Sequence, residues 1–154
     1  MLEFSKILFP VDLSEVSPKL AESALTMAQR FDAELHVINV TRPLMAQAQG
    51  IDFSHEEIEK IRESYYHKMG EQLDQFVAEH LDGYAKAVTA HLRGDPSDGI
   101  LHYIKENGIS LVVMGTHGRK GLDKILFGSV AQRIVQMSPV PVLTVNPHRG
   151  EPAS

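Results

Sequence analysis

The sequence predicts one α/β domain built on a mostly parallel β-sheet. Short segments rich in isoleucine, valine and leucine alternate four times with longer segments of helical spacing, and this alternation is typical of a parallel sheet covered by helices. Residues 111–114, Leu-Val-Val-Met, are apolar throughout, as expected for a parallel strand buried on both faces. A length of 154 residues, 43% apolar and 23% charged, fits a single globular domain. We expect it to cover residues 1–147, followed by a short polar tail over 148–154.

Five segments are predicted to form the strands of this sheet. Each is short, rich in aliphatic residues and bounded by turn-forming or polar residues. They cover residues 7–11, 35–40, 87–92, 111–114 and 140–145. The pattern alone leaves the order of the strands within the sheet open.

Two helices are predicted in the first half of the chain. The first has Ser17 as its predicted N-cap and Pro18 at its first helical position. The second follows a capping box formed by Ser54 and Glu57. Its apolar residues recur at helical spacing, and we expect them to contact the core: Ile58, Ile61, Tyr65, Leu73 and Phe76.

Two further helices are predicted in the second half. Asp95 is the predicted N-cap of the third helix, and Gly108 marks its end. The fourth covers residues 130–137 and stops before Pro139, because the residue before a proline is biased away from the helical conformation.

Composition excludes several classes of function. The chain has no cysteine, which excludes disulfides, iron–sulfur clusters, thiolate zinc sites and cysteine nucleophiles. Its net charge of −5 gives no basic field for nucleic acid or an anionic membrane, so a phosphate site has to be local. The N-terminus lacks the basic cluster of a signal peptide, and no apolar run approaches the length of a membrane span. We expect a cytoplasmic protein with no membrane insertion.

The most unusual part of the sequence follows the fourth predicted strand. Residues 115–121, Gly-Thr-His-Gly-Arg-Lys-Gly, supply three glycines and two cations, and Gly128 and Ser129 open the next helix. Free N–H groups in such a loop and at a helix N-terminus bind anions, and Ser129, at the predicted cap, adds a hydroxyl. Ligands of open α/β sheets bind beyond the carboxyl ends of the strands. The sequence therefore predicts a phosphate site in this segment. The same rule also directs attention to residues 10–12 and 40–41, which follow the first two strands.

A plain turn is the alternative for this glycine-rich segment, and composition alone leaves it open. Several familiar catalytic and phosphate motifs are missing from the sequence. The chain has no P-loop, no GxGxxG after its first strand, no GxSxG and no HExxH. These absences disfavour a P-loop nucleoside triphosphatase, a dinucleotide-binding enzyme, a serine hydrolase and a zinc protease.

Four segments, in the right order, resemble the ATP-binding branch of the universal stress protein family. They are the opening residues 6–12, the turn at 94–96, residues 112–118 and the closing residues 139–145. The spacing Gly115-x2-Gly118-x9-Gly128-Ser129 is similar to the glycine pattern of that branch. The resemblance covers nearly the whole chain.

The resemblance implies a fold and a ligand. The fold is a three-layer sandwich of the adenine nucleotide alpha hydrolase-like type, with a five-stranded parallel sheet of order 3-2-1-4-5 and helices on both faces. ATP would bind between strands one and four, with Mg²⁺ (or Mn²⁺) held through the phosphates. Asp12 would contact the ribose or the adenine edge, and Val40 would contact adenine through its backbone. The implied nucleotide-binding residues are Pro10, Val11, Asp12, Val40, Met114, Gly115, His117, Gly118, Arg119, Gly128, Ser129 and Val130.

Two residues of this implied site have other interpretations, and one neighbouring residue departs from the family pattern. Asp12 is also suited to cap the following helix. His117 is better interpreted as a hydrogen-bonding or exposed residue than as a general base. Leu13 stands where many members of the resembled family have glycine. The other seven histidines show no metal-ligand spacing.

The resemblance implies a stress-response regulator or nucleotide sensor, in which ATP changes a surface that an unknown protein partner reads. One alternative is a slow ATPase or self-phosphorylating enzyme, for which Asp123 is the one acidic candidate beside the phosphates. Another is a nucleotide-free dimeric interaction module. Under all three interpretations we expect a homodimer through the last strand, from Val140 to Val145, because an apolar edge strand pairs readily with its own copy and the resembled family forms such dimers.

Overall fold

A computed structural model of the chain describes residues 1–44, 52–117 and 127–148. Within these ranges strands and helices alternate as predicted, and each strand end lies within two residues of its predicted position. The elements in chain order are β1 (Lys6–Pro10), α1 (Ser17–Phe31), β2 (Glu34–Thr41), α2 (His55–His80), β3 (Ala87–Arg93), α3 (Pro96–Asn107), β4 (Leu111–Gly115), α4 (Ser129–Met137) and β5 (Val142–Val145).

The strands form one parallel sheet of order β3-β2-β1-β4-β5. The predicted fold class and the strand order implied by the family resemblance are both confirmed. β1 lies at the centre, and the chain builds outward first through β2 and β3, then through β4 and β5. The order therefore reverses between β1 and β4, and in open α/β sheets a ligand crevice lies beyond the carboxyl ends of the strands at that point.

Each face of the sheet has its own apolar core. Alternate residues of the central strands point to opposite faces, so the two sets do not overlap. The core shared with α1 and α2 includes Ile7, Phe9, Leu35, Val37, Leu73, Phe76 and Val113. The core shared with α3 and α4 includes Leu8, Ile38, Ile100, Ile104, Val112, Met114 and Ile134. Two helical layers thus enclose the sheet.

Two predicted helix starts are corrected by one residue. Val16, not Ser17, is the N-cap of α1, and Ser17 is its first helical residue. The Ser17 hydroxyl donates to Asp12 Oδ1 instead of capping the helix. At α4 the N-cap is Gly128, and Ser129 is the first helical residue.

Helix α2 buries a narrower stripe than its apolar residues predict. Leu73 and Phe76 are buried, but Ile61 is 49% exposed. At about 100° per residue, Ile61 lies roughly 80° around the helix from the buried Met69, at the margin of the face that contacts the sheet. The capping box predicted for Ser54 and Glu57 is present. No helix in the described ranges is both long and apolar enough to cross a bilayer.

Candidate functional site

The carboxyl edge of the sheet brings together predicted site residues from four elements. Pro10 ends β1, Val40 is the penultimate residue of β2, and Gly115 ends β4. Gly128, before α4, is tied to the same edge because its N–H donates to the carbonyl oxygen of Thr116 over 2.7 Å. Residues that are far apart in sequence therefore meet at the strand-order reversal, where ligands bind in open α/β sheets.

Asp12 organises the turn between β1 and α1. Its Oδ1 accepts hydrogen bonds from Ser14 N–H and from the Ser17 hydroxyl, both over 3.0 Å. Asp12 thus has a local structural role next to the start of α1, although it is not the helix N-cap. Leu13 has a φ of 58°, in the left-handed region that glycine enters readily and other residues enter at a cost. The sequence departs from the glycine of the resembled family here, but the backbone keeps a glycine-like conformation.

Gly115 lets α1 pack closely against the end of β4. A Cβ atom on Gly115 would lie 2.6 Å from Leu20 Cδ1 and 3.1 Å from the carbonyl oxygen of His117. Leu20 is buried. A larger residue at this position would therefore require the Leu20 side chain to shift, whether or not a ligand also approaches the backbone.

His117 follows the buried Thr116 at the mouth of the crevice. Its Nδ1 lies 2.8 Å from the Thr116 hydroxyl, and its ring centroid lies 6.2 Å from that of His148. Gly118 and Arg119, predicted to contact the nucleotide, lie outside the described residues. The same is true of Asp123, the candidate carboxylate of the enzymatic alternative.

The first turn of α4 points its N–H groups into this edge. The helix starts at Ser129, and the Gln132 N–H donates to the Gly128 carbonyl oxygen over 2.9 Å. Ser129, Val130 and the following residue precede that bond, so their N–H groups have no acceptor within the helix. Among the described residues no side chain caps this turn. These donors and the positive end of the helix dipole suit an anion.

Val40 and Met114 lie on the α3 side of the crevice. Met114 is buried within the α3–α4 core, and Val40 packs on its edge. A Cβ atom on Gly99 of α3 would lie only 2.9 Å from Val40 Cγ1. Gly99 thus sets how closely α3 approaches Val40, and sequence analysis did not identify it because its effect depends on the tertiary packing.

A cavity of about 460 Å³ opens at the opposite, amino-terminal edge of the sheet. Its lining includes Asp32, Glu34 and Lys86, and none of the predicted site residues. We assign the candidate site to the carboxyl edge because that is where ligands bind in open α/β sheets. In the described part of the chain, no three histidine, aspartate or glutamate side chains come together to hold a metal ion.

A family model matches almost the entire chain. The model describes the universal stress protein family and covers residues 3–146. The chain belongs to this family.

Two other universal stress proteins resemble this one over nearly its full length. YxiE of Bacillus subtilis is 32% identical over 146 residues, covering 92% of this chain and 99% of the relative. MJ0531 of Methanocaldococcus jannaschii is 32% identical over 151 residues, covering 96% of this chain and 85% of the relative.

Solved structures of universal stress proteins share the fold. UspA from Lactobacillus plantarum superposes with a TM-score of 0.72 at 24% identity, covering 95% of this chain and 100% of that chain. A universal stress protein from Archaeoglobus fulgidus, in complex with dAMP, superposes with a TM-score of 0.64 at 20% identity, covering 94% and 100%. A universal stress protein solved in complex with cAMP superposes with a TM-score of 0.60 at 17% identity, covering 94% of this chain and 98% of that chain.

Proposed function

We propose that this universal stress protein binds an adenine nucleotide, ATP by preference, at the carboxyl edge between β1 and β4. The observation that carries the proposal is the meeting of the β1 end, the β4 end and the first turn of α4, which no described side chain caps, at the strand-order reversal. This arrangement would offer an apolar wall to a base and backbone donors to phosphates.

The base and ribose would occupy the β1–β2 side of the crevice. Pro10 ends β1 and Val11 follows it, and Val40 is the penultimate residue of the neighbouring strand β2. Asp12 is held in place by its hydrogen bonds from Ser14 and Ser17, and its carboxylate would accept a hydrogen bond from a ribose hydroxyl. Met114, which is buried in the α3–α4 core, would complete the apolar wall.

The phosphates would bind the N–H groups of Ser129 and Val130 at the start of α4. The hydroxyl of Ser129, which is exposed, adds a donor. Gly115, His117, Gly118 and Arg119 stay predicted phosphate-side contacts. A divalent ion such as Mg²⁺ would be held mainly by phosphate oxygens, because the described residues offer no cluster of three metal-ligating side chains.

The relatives support an adenine nucleotide in particular. Two universal stress proteins with this fold were solved with dAMP and with cAMP. Both ligands share the adenine base and a phosphate, and both differ from ATP in the number of phosphates. The family membership and these ligands together favour a stress-response role that depends on nucleotide binding.

The mechanism we propose is a population shift. Nucleotide binding would favour one conformation of the connection between Gly115 and Ser129, and a protein partner would read the surface that this conformation presents. We also propose that the protein is a homodimer through β5, an edge strand of the sheet.

Chromatography of nucleotide released by denaturation, followed by calorimetric titration with ATP, ADP and AMP, tests the proposed ligand. We expect ATP binding that Gly128→Val abolishes, because the added side chain fills the space before the α4 N–H groups. Ala85→Val adds similar bulk at the amino-edge cavity and should leave binding unchanged. Binding lost in Ala85→Val and kept in Gly128→Val would move the site to the opposite edge. No binding of any nucleotide by wild type would favour the interaction-module alternative.

A further inference from the structure

A hydrogen-bonded series of polar side chains lies next to the proposed base-binding edge. Asn39 and Thr41, two residues apart on β2, are 4% and 8% exposed. Asn39 Nδ2 donates to the Val11 carbonyl oxygen over 2.9 Å, and the Thr41 hydroxyl donates to Asn39 Oδ1 over 2.8 Å. His91 Nε2 of β3 lies 2.7 Å from the same Thr41 oxygen. These hydrogen bonds therefore connect β3, β2 and the residue that follows β1.

The direction of each bond fixes where the protons lie. The Thr41 hydroxyl has one proton and gives it to Asn39 Oδ1, so its oxygen can only accept from His91. His91 therefore carries a proton on Nε2. The orientation of the Asn39 amide follows from the Val11 carbonyl, which can only accept a hydrogen bond. The amide nitrogen must therefore face Val11, and the amide oxygen faces the Thr41 hydroxyl.

His91, the last residue of this hydrogen-bonded series, is held by contacts with α2. Its ring stacks on Tyr66 of α2, with centroids 3.9 Å apart and an interplanar angle of 13°. The Tyr66 hydroxyl donates to the His91 carbonyl oxygen over 2.6 Å. The Arg93 guanidinium covers the Tyr66 ring at 3.8 Å and forms a two-bond pair with Glu63.

Hydrogen bonds hold both backbone groups of Val11. The Val11 N–H donates to the Ile38 carbonyl oxygen over 2.8 Å, while its carbonyl accepts from Asn39. The orientation of the peptide between Val11 and Asp12 is thereby fixed. On the same face of β2, Leu35 and Val37 supply ordinary apolar core, so polar residues at 39 and 41 are not needed to fill space.

We propose that Asn39, Thr41 and His91 are positioning residues that orient the Val11–Asp12 backbone for the nucleotide. The inference rests on the proposed nucleotide-binding function. The three residues need not touch the ligand, since their effect passes through the Val11 carbonyl. Sequence analysis did not single them out, because only the fold brings position 91 next to position 41.

Three substitutions separate positioning from packing. Thr41→Val keeps the volume and removes the hydroxyl, and it should weaken ATP binding roughly five- to thirtyfold, as expected for one disrupted buried hydrogen-bond chain. Thr41→Ser loses the methyl group and keeps the hydroxyl, so it should bind ATP nearly as wild type does while unfolding at a lower temperature. Thr89→Val makes the same chemical change at an exposed position of β3 and should change neither property.

The measurements are calorimetric ATP affinity, thermal unfolding and ¹⁵N NMR of the His91 ring. We expect an Nε2-protonated ring in wild type and a changed tautomer population in Thr41→Val. Affinity in Thr41→Val equal to wild type would overturn the inference, as would an equal loss in Thr41→Ser. If Thr41→Val does not fold, His91→Phe, which keeps the stack and removes the donor, should show the same weakened binding. Wild type that binds no nucleotide would overturn the proposed function and this inference with it.

Discussion

Single residues at the crevice show how far a sequence motif identifies a physical role. Gly115 was singled out as a phosphate-site glycine, but the fold gives it a second reason, since a Cβ atom there would force the Leu20 side chain to move. Leu13 departs from the family pattern and still takes a left-handed backbone. A sequence identifies the position in both cases, but the packing and the dihedral angle come only from the structure.

Asp95 supports a prediction on pH. Its Oδ1 accepts from the Asp98 N–H at the start of α3, and this bond, with Arg42 adding to it, holds the pKa of Asp95 below its ordinary value. A carboxylate with a lowered native pKa stabilises the fold at neutral pH, and the stabilisation is lost as the pH falls through that pKa. Asp95→Ala should therefore cost about 1 kcal/mol at pH 7, as for other N-caps.

The cost of Asp95→Ala should shrink in acid, below the ordinary aspartate pKa of about 3.9. Denaturant unfolding from pH 7 down to pH 3 measures this. Asp95→Asn keeps an acceptor oxygen and serves as the control, with a smaller loss at pH 7. A penalty for Asp95→Ala that does not change with pH would contradict the assigned role of the charge.

At the scale of whole elements, local signals predicted some helix starts and missed others. The caps at Ser54 and Asp95 were predicted correctly because each cap bonds within its own helix. Ser17 was wrong as a cap because its hydroxyl bonds to Asp12 in the preceding turn. Ser129 was wrong by one residue because Gly128 takes the cap position. Local hydrogen bonding is readable in sequence, but competition from neighbouring turns is not.

The contact between α3 and β2 gives a prediction at this scale. In an ordinary helix, replacing glycine with alanine stabilises the folded state by roughly 0.5–1 kcal/mol. At Gly99 the new Cβ would lie 2.9 Å and 3.0 Å from the two Val40 methyl groups. We therefore expect Gly99→Ala to destabilise the protein by about 1–3 kcal/mol, the usual cost of overpacking.

The sign of this effect should reverse when Val40 is shortened. In a Val40→Ala background the two methyl groups are gone, so Gly99→Ala should stabilise by its helix propensity. Chemical denaturation of the four proteins in this double-mutant cycle measures the coupling. The same penalty for Gly99→Ala in both backgrounds would show that Val40 is not the obstacle.

At the scale of the whole molecule, the class of fold was predictable and the strand order was not. Alternating apolar segments indicated a parallel sheet with helices on both sides, and the structure confirms this. The order β3-β2-β1-β4-β5 came from the family resemblance, since pairing between β1 and β4 joins segments about 100 residues apart. The candidate crevice depends on this order, because the reversal between β1 and β4 creates it.

The same topology leaves two edge strands, β3 and β5, and the proposed homodimer uses β5. Val88 on β3 and Leu143 on β5 are each 38% exposed, which makes them a matched pair. A charged residue on an edge strand opposes pairing with another chain. Leu143→Arg should therefore convert the dimer to monomer at micromolar concentration, while Val88→Arg should remain a dimer. Sedimentation velocity measures both, and circular dichroism confirms that each variant is folded. A monomeric wild type would exclude the dimer, and dissociation in Val88→Arg alone would place the interface on β3.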